Sequence, residues 1–229
     1  MTRLLICFCA IALLVPTAAS ASPRLGIEAG SSLVWTEIGT DGNFEGYDPG
    51  SRFDFNAAAT LHFALNRTWG LTAGVRYSRL GEEAKVDGVR TANEPYGNGT
   101  SLSGTVSTEI QYLGIPLFAR LKFTGDHGPY LFGGAEIAWL LDATRKLSLS
   151  GGSSFEGDEA EADVSRYYKS YNATAVLGAG LDLDLAGHSL EFALRFGYGL
   201  VDIGDHDEFL ASSVKEKTRE LAFTVGFRF

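Results

Sequence analysis

Residues 190–200 read LEFALRFGYGL, and their large hydrophobic side chains fall at every second position. The positions between them carry Glu191, Arg195 and small residues. Alternation at period two is typical of a β-strand that has one apolar face and one polar face. This stretch therefore predicts an extended strand, and the polar face of that strand carries both signs of charge.

The same alternation recurs in seven other stretches of the chain. They cover residues 25–35, 53–65, 69–77, 113–123, 131–141, 173–185 and 221–229. No charged residue occupies the apolar face of any of them, although 21% of all residues are charged. Each stretch spans about 9–13 residues, which is the length that a tilted strand needs to cross a bilayer. The eight stretches predict an all-β fold whose apolar face contacts lipid.

The connections between these stretches alternate between short and long. Residues 66–68, 124–130 and 186–189 are short, whereas residues 36–52, 78–112, 142–172 and 201–220 are long and polar. Short turns on one side and long loops on the other are typical of outer membrane barrels, and a sheet in hydrocarbon must close on itself. We predict an eight-stranded antiparallel up-and-down transmembrane β-barrel with short periplasmic turns and long extracellular loops.

The polar face of the strands combines acids, bases and many glycines. An eight-stranded barrel leaves an interior only wide enough for side chains, so opposite charges there can pair across it. We therefore predict a closed or nearly closed lumen filled by paired charges, with a narrow polar pathway for ions as the alternative. The predicted lumen charge network is Glu28, Asp54, Arg76, Arg120, Lys122, Glu136, Asp182, Asp184, Glu191, Arg195 and Arg228.

The amino-terminal residues 1–21 have the pattern of a secretory signal peptide. Arg3 precedes an uncharged apolar stretch at residues 4–15, and small residues at 19–21 form a cleavage site. Cys7 and Cys9 both lie in this segment, so the mature chain would contain no cysteine. We expect residues 22–229 to form one outer membrane β-barrel domain, exported through a cleaved signal peptide. A retained membrane anchor or a buried helix is the alternative reading of residues 1–21.

Large aromatic residues lie near the ends of the predicted strands. Trp35, Tyr77 and Trp139 are near the long loops, and Trp69 is near a short turn. Aromatic belts occupy both membrane–water interfaces of transmembrane barrels. These four residues therefore predict a membrane girdle, and ordinary core aromatics are the alternative.

Three stretches resemble a known family. The alternation that ends in Phe227 and Phe229 resembles the terminal strand by which outer membrane barrels are recognised for assembly. Residues 112–117 (YLGIPL) and 129–134 (PYLFGG) resemble the fourth and fifth strands of PorT-like outer membrane β-barrel proteins, although Gly114 stands where that family often has an acid. The resemblance implies an eight-stranded barrel in a Gram-negative outer membrane and the barrel assembly machinery as a partner. It implies little about biochemistry.

The sequence offers little chemistry. A net charge of −9 argues against a nucleic-acid partner. His62, His127 and His188 lack an obvious serine and acid on the same strand face, so we predict no catalytic residue, cofactor or metal. His206, with Asp205, Asp207 and Glu208, could bind a divalent cation, as could the acidic residues between 156 and 163. A solvated acidic loop is the favoured interpretation of both stretches.

The sequence predicts an integral outer membrane protein of structural or interaction type rather than an enzyme. Its partners would be membrane lipids and lipopolysaccharide, and its acidic loops would be candidates for binding a ligand or partner of unknown identity. Two alternatives remain open. One is an envelope enzyme, such as a hydrolase that modifies lipid A, and the other is a soluble periplasmic lipocalin-like binding barrel.

Overall fold

The computed structural model describes residues 23–39, 47–90, 101–123, 127–150, 159–204 and 215–229. The strands are β1 (Arg24–Gly39), β2 (Tyr47–Gly50), β3 (Arg52–Ala64), β4 (Trp69–Arg90), β5 (Ser101–Lys122), β6 (Gly128–Ser150), β7 (Glu159–Asp163), β8 (Tyr171–Leu185), β9 (His188–Gly199) and β10 (Lys215–Arg228). A 3-10 turn follows β7 at Ser165–Tyr167. In these ranges, no helix is long and apolar enough to cross a membrane. The predicted signal peptide, residues 1–21, lies outside the described residues.

Eight of the strands close into a barrel. Strands β1, β3, β4, β5, β6, β8, β9 and β10 pair antiparallel in this order, and β10 pairs with β1 to complete the ring. Starting at Ser78 on β4 and stepping from each residue to its partner on the next strand, one circuit of the barrel ends at Lys122 on β5. The Lys122 N–H donates to the carbonyl of Thr68, so the circuit returns ten residues before its starting point. This stagger tilts the strands against the barrel axis. The predicted eight-stranded up-and-down barrel is confirmed.

The outer surface of the barrel is apolar in its middle section. Val75, Leu117 and Leu177 are 50%, 46% and 67% exposed, and many other large hydrophobic residues on the same face are exposed to a similar degree. A soluble protein rarely exposes so large a contiguous apolar surface. In a bilayer this surface meets hydrocarbon, while the closed ring pairs the backbone groups of all eight strands.

The barrel strands extend well past the ends of the predicted alternation. The predicted loops 78–112 and 142–172 are largely strand, because β4 runs to Arg90, β5 starts at Ser101 and β6 runs to Ser150. Strands β2 and β7, which alternation does not predict, pair with β4 and β6 and widen this extension. Outside the bilayer both faces of a strand can meet water, so backbone pairing continues although the apolar alternation stops.

An apolar core fills the mouth of the barrel at the long-loop end. Val34, Leu80 and Tyr112 line the wall, and Val164, Tyr168 and Ile203 enter from the connecting segments. The Val164 N–H donates to the Ala143 carbonyl at 2.9 Å, and the Lys169 N–H donates to the Ile203 carbonyl at 2.8 Å. We call Val164, Tyr168 and Ile203, together with the wall residues that they contact, the apolar cap.

Candidate functional site: the charged lumen

Two arginines and two glutamates meet near the middle of the lumen, and we call them the central ion-pair layer. Arg76 Nη2 lies 2.7 Å from Glu220 Oε1, and Arg76 Nη1 lies 3.2 Å from Glu136 Oε2. Arg195 Nη2 is 3.4 Å from Glu136 Oε2 and 3.1 Å from Glu220 Oε2. All four residues are buried. Because they project from β4, β6, β9 and β10, their charges balance while their side chains cross the interior.

A second set of paired charges lies toward the short turns, and we call it the short-turn ion-pair layer. Arg120 Nη1 and Arg228 Nη1 each lie 2.8 Å from Glu191 Oε1. Asp182 accepts from both guanidinium groups, and Ser189 Oγ accepts from Arg228 Nη2 at 2.9 Å. The Arg120 guanidinium also stacks on the Tyr130 ring, 3.4 Å from its centroid. This layer is again electrically balanced.

A small cavity adjoins both layers. Its volume is about 40 Å³, and Glu28, His62, Phe118 and Thr224 line it with residues of both layers. His62 Nε2 is 2.9 Å from Thr60 Oγ1, and its Nδ1 is 3.1 Å from Thr72 Oγ1. The space suits a few water molecules, whereas pockets for organic ligands begin near ~300 Å³. The predicted lumen residue Glu28 lines this cavity together with Arg120, Glu191 and Arg195.

A third charged cluster lies at the long-loop end, beyond the girdle residues Tyr77 and Trp139. Arg52 Nη2 is 3.2 Å from Glu109 Oε2, and Arg52 Nε is 3.2 Å from Asp54 Oδ1. Arg79 also pairs with Glu109. Burial raises the pKa of Glu109, but the hydrogen bonds and charges of Arg79 and Arg52 outweigh it and hold that pKa below its ordinary value. Asp54 was predicted for the lumen network, whereas Arg52, Arg79 and Glu109 were not.

Two predicted lumen residues lie at the short-turn rim instead. Asp184 is exposed, and its Oδ1 accepts a hydrogen bond of 3.1 Å from the Gly187 N–H in the turn between β8 and β9. Lys122 is half-buried at the end of β5. The assignment of Asp184 to the charge network is corrected, because Asp184 lies one pair from the end of the β8–β9 hairpin and its side chain is exposed to water. The Asp184 side chain stabilises the β8–β9 turn through its hydrogen bond with the Gly187 N–H.

The predicted girdle residues project outward near the ends of the apolar alternation, and β4 and β6 continue well beyond Tyr77 and Trp139. Tyr77 and Trp139 are both in register with Leu113, and the Tyr77 hydroxyl donates to Gln111 Oε1 at 3.1 Å. Trp35 lies on β1, and Trp69 is 45% exposed at the start of β4. These positions fit an interfacial belt on each side of the apolar surface.

The terminal aromatic residues pack together on the outside of the last hairpin. The rings of Phe227 and Phe229 are 5.0 Å apart and edge-on. Both contact the His188 ring, at 5.4 and 6.0 Å. The Phe229 N–H donates to the Leu25 carbonyl at 2.9 Å, which joins the end of the chain to its first strand.

The described histidines contact side chains of the barrel. His127 Nδ1 is 3.8 Å from Asp182 Oδ1 at the short-turn end, while His62 lines the cavity. In the part of the chain that the structure describes, no group of three possible metal ligands converges. The candidate cation ligands at residues 156–158 and 205–208 lie outside the described residues.

Sequence reasoning named all four charged residues of the short-turn ion-pair layer, but it missed members of the other two clusters for identifiable reasons. Glu220 completes the central layer, but it precedes Leu221, where the apolar alternation begins. Glu109 and Arg79 lie in strand extensions that show no alternation. A signal for Glu220 did exist, because it has the same parity as Arg228 on the polar face of β10.

Comparison with solved structures gives distant similarities. Ail of Yersinia pestis, in complex with the heparin analogue sucrose octasulfate, is 13% identical with a TM-score of 0.38, covering 91% of this chain and 100% of that chain. Neisserial surface protein A is 13% identical with a TM-score of 0.40, covering 91% and 100%. The outer membrane protease OmpT from Escherichia coli is 8% identical with a TM-score of 0.38, covering 93% and 99%. At these values the similarities carry no functional argument.

Sequence comparison assigns the family. No curated protein shows significant similarity to the chain. A family model described as an outer membrane protein beta-barrel domain matches residues 17–205, which is most of the sequence. That match agrees with the closed barrel and its apolar outer surface. The chain therefore belongs to the outer membrane protein beta-barrel domain family.

Proposed function

We propose that this outer membrane barrel is a sealed scaffold that holds a structured sheet at the cell surface. The observation that carries the proposal is the succession of obstructions along the lumen. The short-turn ion-pair layer, the central ion-pair layer and the apolar cap follow one another from the periplasmic to the extracellular end. Each is built from buried side chains, so an ion would have to separate two charge layers and then cross an apolar core.

The extracellular sheet supports a role in interaction. Strands β2 and β7 flank the extensions of β4, β5 and β6, and these five form one sheet beyond the membrane. An ordered extension is a better platform for a partner than a mobile loop, because less conformational entropy is lost on binding. The acidic loops that adjoin this sheet are candidates for the contact with a ligand or partner.

The proposal includes no enzymatic activity. Among the described residues, both ring nitrogens of His62 contact threonine hydroxyls, so no carboxylate orients this ring as the acid of a catalytic triad would. His127 lies near Asp182, and His188 packs against phenylalanine rings. Unchanged lipid A and phospholipid profiles on overexpression are the expected result. A deacylated or otherwise modified lipid would contradict this part of the proposal.

Export and finer classification are also part of the proposal. Cleavage after residue 21 would leave residues 22–229 as the mature barrel in a Gram-negative envelope, and amino-terminal sequencing tests it. The YLGIPL and PYLFGG stretches and the terminal Phe229 support placement near the PorT-like barrels. The terminal strand supports the barrel assembly machinery as a folding partner.

Conductance tests the sealed lumen. The purified full chain is reconstituted in planar bilayers, with a porin of known conductance as positive control and flotation of the same proteoliposomes as proof of insertion. We expect the inserted protein to show no conductance steps. Reproducible steps in the bilayers that contain inserted wild-type protein would overturn the sealed scaffold.

A further inference from the structure

Glu28 is a lumen carboxyl that belongs to neither ion-pair layer. Each carboxylate of the two layers contacts two guanidinium groups, as Glu191 does with Arg120 and Arg228. Among the described residues, no arginine, lysine or histidine nitrogen lies within 4.0 Å of the Glu28 carboxyl, and no side chain of that set donates a hydrogen bond to it. Because both layers are already balanced, an ionised Glu28 would add a negative charge that has no ion-pair partner.

The strand register explains why Glu28 has no partner beside it. Glu28 pairs with Ala58 on β3 and with Gly226 on β10, and neither residue offers a polar side chain. Beyond Gly226 the same row reaches Glu191 on β9. A Cβ at Gly226 would lie 3.3 Å from the Glu28 Cβ and 3.7 Å from the Glu191 Cβ. The two acidic side chains therefore flank one glycine, and a second acid lies close to Glu28.

The lumen arginines are held by other carboxylates. They project from β4, β5, β9 and β10 and are Arg76, Arg120, Arg195 and Arg228. Their partners project from β6, β8, β9 and β10 and are Glu136, Asp182, Glu191 and Glu220. Each arginine contacts two of these carboxylates within its own layer. A guanidinium group that turned to Glu28 would therefore leave a buried carboxylate of its layer with one contact fewer.

The other titratable groups at the cavity do not supply a positive charge to Glu28. His62 on β3 contacts threonine hydroxyls through both ring nitrogens, and Arg120 Nη1 lies 3.5 Å from its Nδ1. A cationic His62 would thus face a guanidinium group. Tyr130 on β6 stacks on the same arginine, and a phenol offers a hydrogen bond but no positive charge.

The cavity gives the Glu28 carboxyl room for a few water molecules. Its volume is about 40 Å³, and Thr72 and Thr224 line it together with Glu28. A few enclosed water molecules can satisfy the hydrogen bonds of a neutral carboxyl group, but they cannot replace the bulk hydration of a carboxylate. A buried carboxyl group without a paired cation therefore takes up a proton.

We propose that Glu28 holds a proton at neutral pH and that the lumen cavity is a binding site for this proton and for water. The neutral carboxyl group donates one hydrogen bond into the cavity and accepts others there. Positive and negative charges then remain equal in number across the two layers. This proton site goes beyond the sealed scaffold, and it depends neither on the conductance of the lumen nor on a partner of the loops.

Infrared spectroscopy of the purified full chain tests the proton directly. The carbonyl stretching band of a protonated carboxyl group is separate from the bands of carboxylates and backbone amides. The detergent must contain no ester or carboxyl group, because these absorb in the same region. Glu28→Gln removes the carboxyl group, and Glu109→Gln is the matched control because it removes a glutamate that is paired with arginines. A faster mobility without boiling establishes that each variant is folded.

At neutral pH we expect wild type and Glu109→Gln to show the band of a protonated carboxyl group and Glu28→Gln to lose it. Glu28→Asp, which keeps the carboxyl group and shortens its side chain, should shift the band and not remove it. Absence of the band from wild type would overturn the proposal without the use of any variant. A band of equal intensity in wild type and Glu28→Gln would overturn it as well. The conductance result would stand in either case.

Discussion

Arg76 and Glu220 meet across the barrel although 144 residues separate them in the sequence. Two parallel contacts join them, at 2.7 Å between Nη2 and Oε1 and at 3.4 Å between Nη1 and Oε2. Both side chains are buried, and each also has a second partner of opposite charge. This pair ties β4 to β10 inside the lumen, where no backbone hydrogen bond can join them.

Loss of both partners of this pair should cost less free energy than the sum of the two separate losses. Arg76→Ala leaves buried carboxylates without enough positive charge, which typically costs about 3–5 kcal/mol. In Arg76→Ala/Glu220→Ala the charges balance again, so the double variant should be less destabilised than the two single changes predict together. Urea unfolding in lipid vesicles, followed by tryptophan fluorescence, measures the free energies. Additive losses of unfolding free energy would contradict the ion-pair layer. As a control, Arg79→Ala removes a partly exposed arginine and should cost at most about 1 kcal/mol.

A charge on the lipid-facing surface should also destabilise the barrel. Leu117 is 46% exposed in the apolar middle of β5, so Leu117→Arg should cost about 2–4 kcal/mol in a bilayer. Ser148→Arg, on the exposed extension of β6, serves as the matched control because it adds the same charge outside the hydrocarbon. The same unfolding measurement applies. Equal free energies for the two variants would show that Leu117 does not face lipid.

The apolar cap should open without loss of the barrel. Ile203 is 1% exposed, and Ile203→Asp would bury a carboxylate among Val164, Tyr168 and wall residues. The Lys169 amide, which donates to the Ile203 carbonyl, should then exchange its hydrogen much faster in hydrogen-exchange mass spectrometry. Amides in the membrane-spanning part of β9 should remain protected. Unchanged exchange at Lys169, or a uniform loss of protection, would contradict a separately closed cap.

The cluster around Glu109 predicts a pH effect of definite sign. Arg79 and Arg52 lower the pKa of Glu109, so the folded state binds a proton less readily than the unfolded chain. The stabilisation that ionised Glu109 contributes is therefore complete above the ordinary pKa of a glutamate, about 4.3, and it is lost as the pH falls through the lowered pKa of the folded state. Wild type should be more stable than Glu109→Gln at neutral pH, and the difference should vanish in acid. A difference that grows on acidification would contradict the pairing.

The sequence predicted the membrane-spanning part of the fold because two solvents act on the two faces of each strand. Arg76, Arg120 and Arg195 were assigned to the interior by parity alone, and the structure places all three in ion-pair layers. The partners of these arginines were harder to predict, because parity shows which face of a strand a residue occupies but not which charges meet across the lumen. The strand offsets that bring Arg76 to Glu220 follow from the register of the whole ring.

The extracellular part could not be predicted in the same way. Val164 and Ile203 enter the apolar cap from connecting segments without any periodic pattern. Strand β7 is short and acidic, and its pairing with β6 depends on tertiary contact rather than on its own β propensity. These elements are specified by the parts of the barrel that they contact.

Heat-modifiability of the membrane-bound protein tests the closed lipid-facing barrel most directly. Cells that express the full chain are fractionated, the membranes are washed with urea, and the protein is run on a detergent gel with and without boiling. The protein should remain with the outer membrane and migrate faster when it is not boiled, because a closed barrel stays compact in detergent. Recovery in the soluble periplasmic fraction, with equal mobility before and after boiling, would contradict a membrane barrel.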